Sequence, residues 1–173
     1  MAKINHYITM LLFTVMFLVG LQVPAFMDQY TKRVDAQVIE VARLLRQYQQ
    51  IADKYHNGSM SELIALHEKS QNQTFNDESV VITQHVEREQ YLSSHLEHLN
   101  HNVFRGASTI LFQVDEDIYT RTIEQYTMSI QFTKLSLIFA AFMAVFSCAL
   151  YELILFIMKK MGVKALSIRH KYS

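Results

Sequence analysis

The chain has 173 residues, half of them apolar, with 16 Lys/Arg balanced by 16 Asp/Glu, one cysteine and no tryptophan. A lone thiol, Cys148, excludes an intrachain disulfide. The four scattered glycines (Gly20, Gly58, Gly106, Gly162) exclude a phosphate-cradling loop, and no Ser or Cys stands in a nucleophile elbow, so the reading is a non-enzyme without a cofactor or a resident metal.

In chain order, residues 1–7 form a short N-terminal flank, and the uncharged run 8–26 has about the 20 residues a helix needs to cross the hydrocarbon core. The only proline, Pro24, lies in the stretch "GLQVPAFMDQYTKR" that ends this run. Cleavage after Ala25, with Val23 and Ala25 as the small-residue box, is chemically plausible. Against cleavage, the run is long for a signal core and a helical seam begins almost at once, at Tyr30 and Val34. A retained anchor is therefore expected. Pro24 removes one helical hydrogen bond and crowds the carbonyl of Gly20, which makes this pair a hinge where the helix leaves the bilayer.

The middle, residues 27–134, has no proline and reads as helix nearly throughout. Val34, Val38, Val41, Leu45, Tyr48, Ala52 and Tyr55 recur at 4-3 spacing as a packing seam. Asn57-Gly58 supplies a left-handed stop, and Ser59 with Glu62 fits a capping box that opens a short second helix. Residues 70–78 read as a polar loop. A third helix is expected from Ser79 to Phe104, with Leu92, Leu96, Leu99 and Val103 on one stripe and a break at Arg105-Gly106. A fourth starts near Ser108, carries Tyr119, Ile123, Tyr126 and Ile130, and runs unbroken into the second span. The first and fourth would each be about 27 residues, or about 40 Å, which suggests an up-down-up-down bundle on a two-helix stalk.

Residues 135–158 are uncharged except for Glu152 and form the second expected span. Ala140, Ala144, Cys148 and Glu152 are spaced by four, a face of small residues that lets another helix approach, with Thr14 as the matching partner of Glu152. The alternative for Glu152 is to snorkel and pair with Lys159 or Lys160. The tail, 159–173, carries Lys159, Lys160, Lys164, Arg169 and Lys171 without an acid, so both termini are expected in the cytoplasm and the middle outside. From 27 to 133 there are 9 Lys/Arg against 15 Asp/Glu, a net of −6, while the other 7 Lys/Arg and Glu152 give +6. That partition disfavours nucleic acid and suits an anionic inner leaflet.

His95, His98 and His101 form H-x-x-H-x-x-H, but the third has rotated away from the first, so a solvated face is the plainer reading beside metal or pH sensing. Asp115-Glu116-Asp117 likewise reads as solvent-facing.

The segment "GLQVPAFMDQYTKRVDA", through Gly20, Gln22, Pro24, Phe26, Gln29, Tyr30 and Arg33, resembles the start of a two-span proteobacterial membrane-protein family known only as a domain of unknown function. The resemblance implies a bacterial inner membrane and supplies no activity. The expected architecture is an all-α membrane protein: two transmembrane helices and an extracytoplasmic antiparallel helical bundle of coiled-coil-like hairpins. The expected role is a non-catalytic accessory or scaffold subunit, touching membrane lipids and either its own copies or a larger membrane protein. A periplasmic sensor that signals through a partner, or a small channel or transporter subunit, are the alternatives.

Overall fold

The computed structural model describes residues 2–128 and 133–171, and the side chains of 3–128 and 133–160. It is all-helical in these residues, with six helices and no strand: α1 (Ala2–Tyr55), α2 (Met60–Glu68), α3 (Gln73–His101), α4 (Val103–Phe112), α5 (Glu116–Glu124) and α6 (Lys134–Lys171). They form two compact units, one of Met1–Phe26 with Thr127–Ser173 and one of Met27–Tyr126.

The 54 residues of α1 run through Pro24 without a stop. The stop comes where the sequence places it. Asn57 and Gly58 take φ of 50° and 83°, and the Gly58 N–H returns to the Ala52 carbonyl at 3.1 Å. Gln49 Nε2 donates to the Gly58 carbonyl at 2.8 Å and holds the turn. Ser59 then caps α2 by accepting the Glu62 N–H at 3.2 Å. The reciprocal half of the box is replaced, since the Ser59 N–H donates to His56 O at 2.9 Å.

The polar loop is shorter than expected, because α3 starts at Gln73. Asn72 caps it, accepting the Thr74 N–H at 3.0 Å, and Asn76 Nδ2 donates to the Glu68 carbonyl. An N-cap worth about 1 kcal/mol starts a helix that composition hides, since residues 73–75 are exposed and carry no apolar stripe. The break after α3 is at Asn102, whose backbone is extended and whose side chain accepts the Arg105 N–H at 2.8 Å to cap α4. Gly106 is thus no breaker. It is buried inside α4, where a Cβ would lie 2.8 Å from the Leu99 carbonyl oxygen and 3.3 Å from Met27 Cε. Gly106→Ala is expected to destabilise the 27–126 unit by about 1–3 kcal/mol, read from its denaturant midpoint, because the backbone of α3 has to yield.

The single fourth helix is replaced by two short ones. α4 ends at Phe112, and Asp115 caps a new helix, α5, by accepting the Ile118 N–H at 3.1 Å. That cap sets the phase of α5, so Ile118 and Thr122 are buried while Tyr119 is half-covered and Ile123 is exposed. Tyr126 falls after α5 and is half-covered, and Ile130 lies outside the described residues. α5 stops at Glu124 and α6 starts at Lys134, so the length match between first and fourth helices does not hold.

The core of the 27–126 unit is Tyr30, Val34, Ala52, Leu63, Ile82, Leu92, Leu99 and Ile118. In the expected α1 seam Val34 and Ala52 are fully buried, the four positions between them are half-covered, and Tyr55 is exposed. Tyr48 bonds Glu78 at 3.2 Å, Gln37 bonds Arg88 at 3.2 Å and Tyr30 bonds His95 at 2.9 Å. Residue numbers fall along α3 as they rise along α1. The third helix therefore returns where a rising one was expected, and the up-down-up-down order is not the one adopted.

In the other unit Tyr151 Oη donates to Asn5 Oδ1 at 2.8 Å and Cys148 Sγ to the Thr9 carbonyl at 3.8 Å. Gly20 sits against Ala140, where a Cβ would be 2.5 Å from the Ala140 Cα. Leu21, Ala25, Ser136, Ala140, Ala144 and Ser147 are buried here. Thr133 opens α6, its Oγ1 accepting the Ser136 N–H at 3.1 Å. Both α1 and α6 contain stretches long and apolar enough to cross a membrane.

Candidate functional site

Among the described residues, a connected group of buried and half-buried polar side chains lies between α1, α3 and the start of α5. Tyr30 is fully buried on α1, and its oxygen accepts the Asp115 N–H at 3.0 Å while its hydroxyl meets His95 Nε2 at 2.9 Å. If Nε2–H donated to the phenol oxygen, the phenol hydrogen would be left at a fully buried position with no acceptor. The O–H is therefore assigned as donor to Nε2, which places the histidine proton on Nδ1. Arg88 Nη1 donates to Asp115 Oδ2 at 2.7 Å and Nη2 to Gln37 Oε1 at 3.2 Å. The Tyr91 ring stacks on His95 with centroids 5.8 Å apart, and the Arg88 guanidinium lies 5.5 Å from the same ring.

Burial dominates the electrostatics. It pushes the Tyr30 phenol up to about 12, so the hydroxyl keeps its proton. Burial also lowers His95 below its ordinary 6.5, with His98 and Arg88 acting in the same direction and Asp115 opposing. For Asp115, burial raises the carboxyl, but the Arg88 hydrogen bond, the Ile118 N–H and the Arg88 charge outweigh it and hold it low. The arrangement keeps a neutral histidine and a neutral phenol beside a closed ion pair.

Two measurements test this. With its pKa depressed on folding, His95 binds a proton more readily in the unfolded chain, so stability falls as pH drops below 6.5 toward the lower folded value. The melting midpoint of the wild type should decline across that window and that of His95→Gln should decline less; equal slopes would contradict it. Asp115→Asn keeps a capping side chain but weakens the Arg88 pair, whereas Asp115→Ala removes both. The alanine variant is expected to lose about 1 kcal/mol more, the usual worth of an N-cap, in denaturant unfolding.

An open depression of about 500 Å³ flanks the ion pair, lined by Gln84, Glu87, Arg88, Tyr91, Val114, Asp115 and Glu116. No group of three or more potential ligands that could hold a metal occurs among the described residues.

The histidine triplet is not one site. His95 is buried, not solvated; His98 is half-covered; His101 is exposed and bonded to Asn102 at 3.0 Å. Of the acidic triplet Asp115 is buried and the other two are exposed. On α6, Ala140 and Ala144 are fully buried and Cys148 is half-covered, but Glu152 is exposed, and the face continues through Ser147 and Tyr151. The reason is the 3.6-residue period: twelve residues after Ala140 the helix has turned about 120° past whole turns. Nor does Thr14 meet Glu152, because Thr14 Oγ1 donates to the Met10 carbonyl at 3.0 Å and the Tyr151 level is matched by Asn5. Gly20, read as part of a hinge, lies in tight contact with α6.

A family model described as "Protein of unknown function (DUF2937)" matches residues 4–163. The chain belongs to this family. The match takes in both apolar helices and everything between them, so the DUF2937 unit includes the Tyr30 network as well as the α1–α6 contacts. No curated protein and no solved structure matches the chain. Sequence reasoning missed Arg88 and Asp115 in this DUF2937 chain. They are 27 residues apart on different helices, and no periodic pattern links them.

Proposed function

We propose that this DUF2937 protein is a non-catalytic accessory or scaffold subunit of a bacterial inner-membrane complex. In this reading α1 and α6 cross the membrane as an antiparallel pair, both termini are cytoplasmic, and the domain from Met27 to Tyr126 is periplasmic. The charge partition of −6 in the middle and +6 in the flanks supports that orientation. The contacts of Gly20, Thr9 and Asn5 with α6 support retention of the first apolar run as an anchor. Pro24, two residues before the end of the first compact unit, removes one helical hydrogen bond where the expected span ends.

The observation that carries the reading is the internal bonding of the Tyr30 network. Tyr30, Arg88 and Asp115 spend their hydrogen bonds on one another and on His95, Gln37 and Ile118. Such a network ties α1, α3 and the start of α5 together through side chains that bond to one another. Glu152 fits a scaffold too: it is exposed on an apolar helix, and among the described residues it forms no ion pair. A carboxylate in that position is suited to a cation or donor on a neighbouring protein.

The test is gentle detergent extraction from native membranes followed by affinity purification. A stoichiometric partner or a defined homo-oligomer is expected, and Glu152→Gln should reduce it. A lone monomer with no partner would sink the proposal.

A further inference from the structure

The geometry points to α4 as an interfacial helix that lies in the membrane surface beside the exit of the first span, with Phe104, Leu111 and Phe112 in the lipid. The inference rests on the two-span reading above. Its first observation is exposure: Phe104 is 83% exposed, Leu111 73% and Phe112 83%, among the most exposed large apolar side chains of the described residues. They stand at i, i+7 and i+8, with the exposed Ser108 between them, so they form one outward face. The opposite face holds Gly106 and Thr109, both buried against the rest of the unit. A contiguous apolar face of this kind marks a place where something other than water belongs.

The second observation says what covers it. Gly106 is packed within reach of Met27 Cε, 3.3 Å from the site of an added Cβ. Met27 is the residue directly after the uncharged run 8–26, on the same helix. α3 leads to the same level: it passes Tyr30 at His95 and continues six residues, about 9 Å, to His101, where α4 begins. The helix that bears the exposed aromatic face is thus packed against Met27, the first residue after the uncharged run. With 10 residues α4 is too short to cross the bilayer, as interfacial segments are. Arg105 is exposed at the edge of the apolar face, placed to reach lipid phosphates while the aromatic rings enter the acyl boundary.

The chain has no tryptophan, so a single introduced indole reports its own surroundings. Phe112→Trp, Leu66→Trp on α2 and Phe142→Trp on α6 are each reconstituted as the full chain in phosphatidylethanolamine/phosphatidylglycerol vesicles; all three positions are exposed, so folding is spared. Phe112→Trp is expected to emit to the blue of Leu66→Trp and to be quenched several-fold more by lipids brominated near the top of the acyl chain. Quenching by aqueous acrylamide equal to that of Leu66→Trp overturns the inference. So does protection from acrylamide without any bromolipid quenching, which means that protein, such as a second copy, covers the face. Phe142→Trp separates the two readings. If it is bromolipid-quenched while Phe112→Trp is not, only the α4 assignment falls; if neither is quenched, the two-span reading falls with it.

Discussion

Replacing Tyr30 with phenylalanine is expected to destabilise the Met27–Tyr126 unit by about 2–4 kcal/mol, although the ring and its packing are retained. The hydroxyl oxygen is the acceptor of the Asp115 N–H at 3.0 Å, and the hydroxyl is hydrogen-bonded to His95 Nε2 at 2.9 Å, assigned above as its donor. Removing one oxygen therefore strands two groups at once, each costing about 1–3 kcal/mol when buried without a partner. Tyr30 is fully buried and His95 is 5% exposed, so water has little room to replace the lost contacts. The three helices also lose their shared point, because Tyr30 is on α1, His95 on α3 and Asp115 caps α5. Tyr91→Phe is the control. Tyr91 is exposed and meets His95 and Arg88 through its ring face, which phenylalanine keeps, so a change within about 0.5 kcal/mol is expected. Denaturant unfolding in detergent checks both, and equal losses for the two variants would refute the role given to the Tyr30 hydroxyl.

The second large effect is expected at Gly20. A Cβ there would lie 2.5 Å from Ala140 Cα, 2.9 Å from Phe139 O and 3.0 Å from Ala140 N, all backbone atoms that cannot rotate away. Gly20→Ala must push α1 and α6 apart, with an expected loss of about 1–3 kcal/mol. In a protein of this size each kcal/mol lowers the melting midpoint by roughly 2–4 °C. The loss matters more in lipid, where apolar burial supplies no drive and close backbone packing holds two helices together. Val19→Ala, at an exposed neighbouring position, should change little. Thermal unfolding in detergent reads the difference. Cross-linking of Asn5→Cys to Tyr151→Cys by a short bismaleimide, in a Cys148→Ser background, should fall in the Gly20→Ala protein; unchanged yield would mean that the helices do not pack at Gly20.

The share of this architecture that is legible in the amino-acid order is the share governed by local chemistry. Two apolar runs, the left-handed turn at Asn57-Gly58 and the Ser59 cap follow from side chains acting within a few residues of themselves. The α1 seam is legible at Val34 and Ala52 because its spacing follows the helical period, while Tyr55, the last residue of α1, is exposed with the Lys54 ammonium over its ring. Helix starts set by asparagine or aspartate, at Asn72, Asn102 and Asp115, were hidden because those residues serve turns and caps equally well.

By itself, then, the order of residues determined an all-helical chain with two segments fit to cross a membrane, since hydropathy and helix propensity are properties of neighbouring residues. Tertiary structure alone decided which polar groups are inside. Asp115 is buried because Arg88, 27 residues earlier, is there to receive it, and His95 is buried because Tyr30 offers it a hydroxyl. It also decided that Glu152 leaves the Ala140–Ala144 face, because a strict four-residue repeat drifts around a helix of 3.6 residues per turn and only the partner helix shows which side is in contact. Burial of a polar side chain depends on where its partner comes from, and that distance is written in space rather than along the chain.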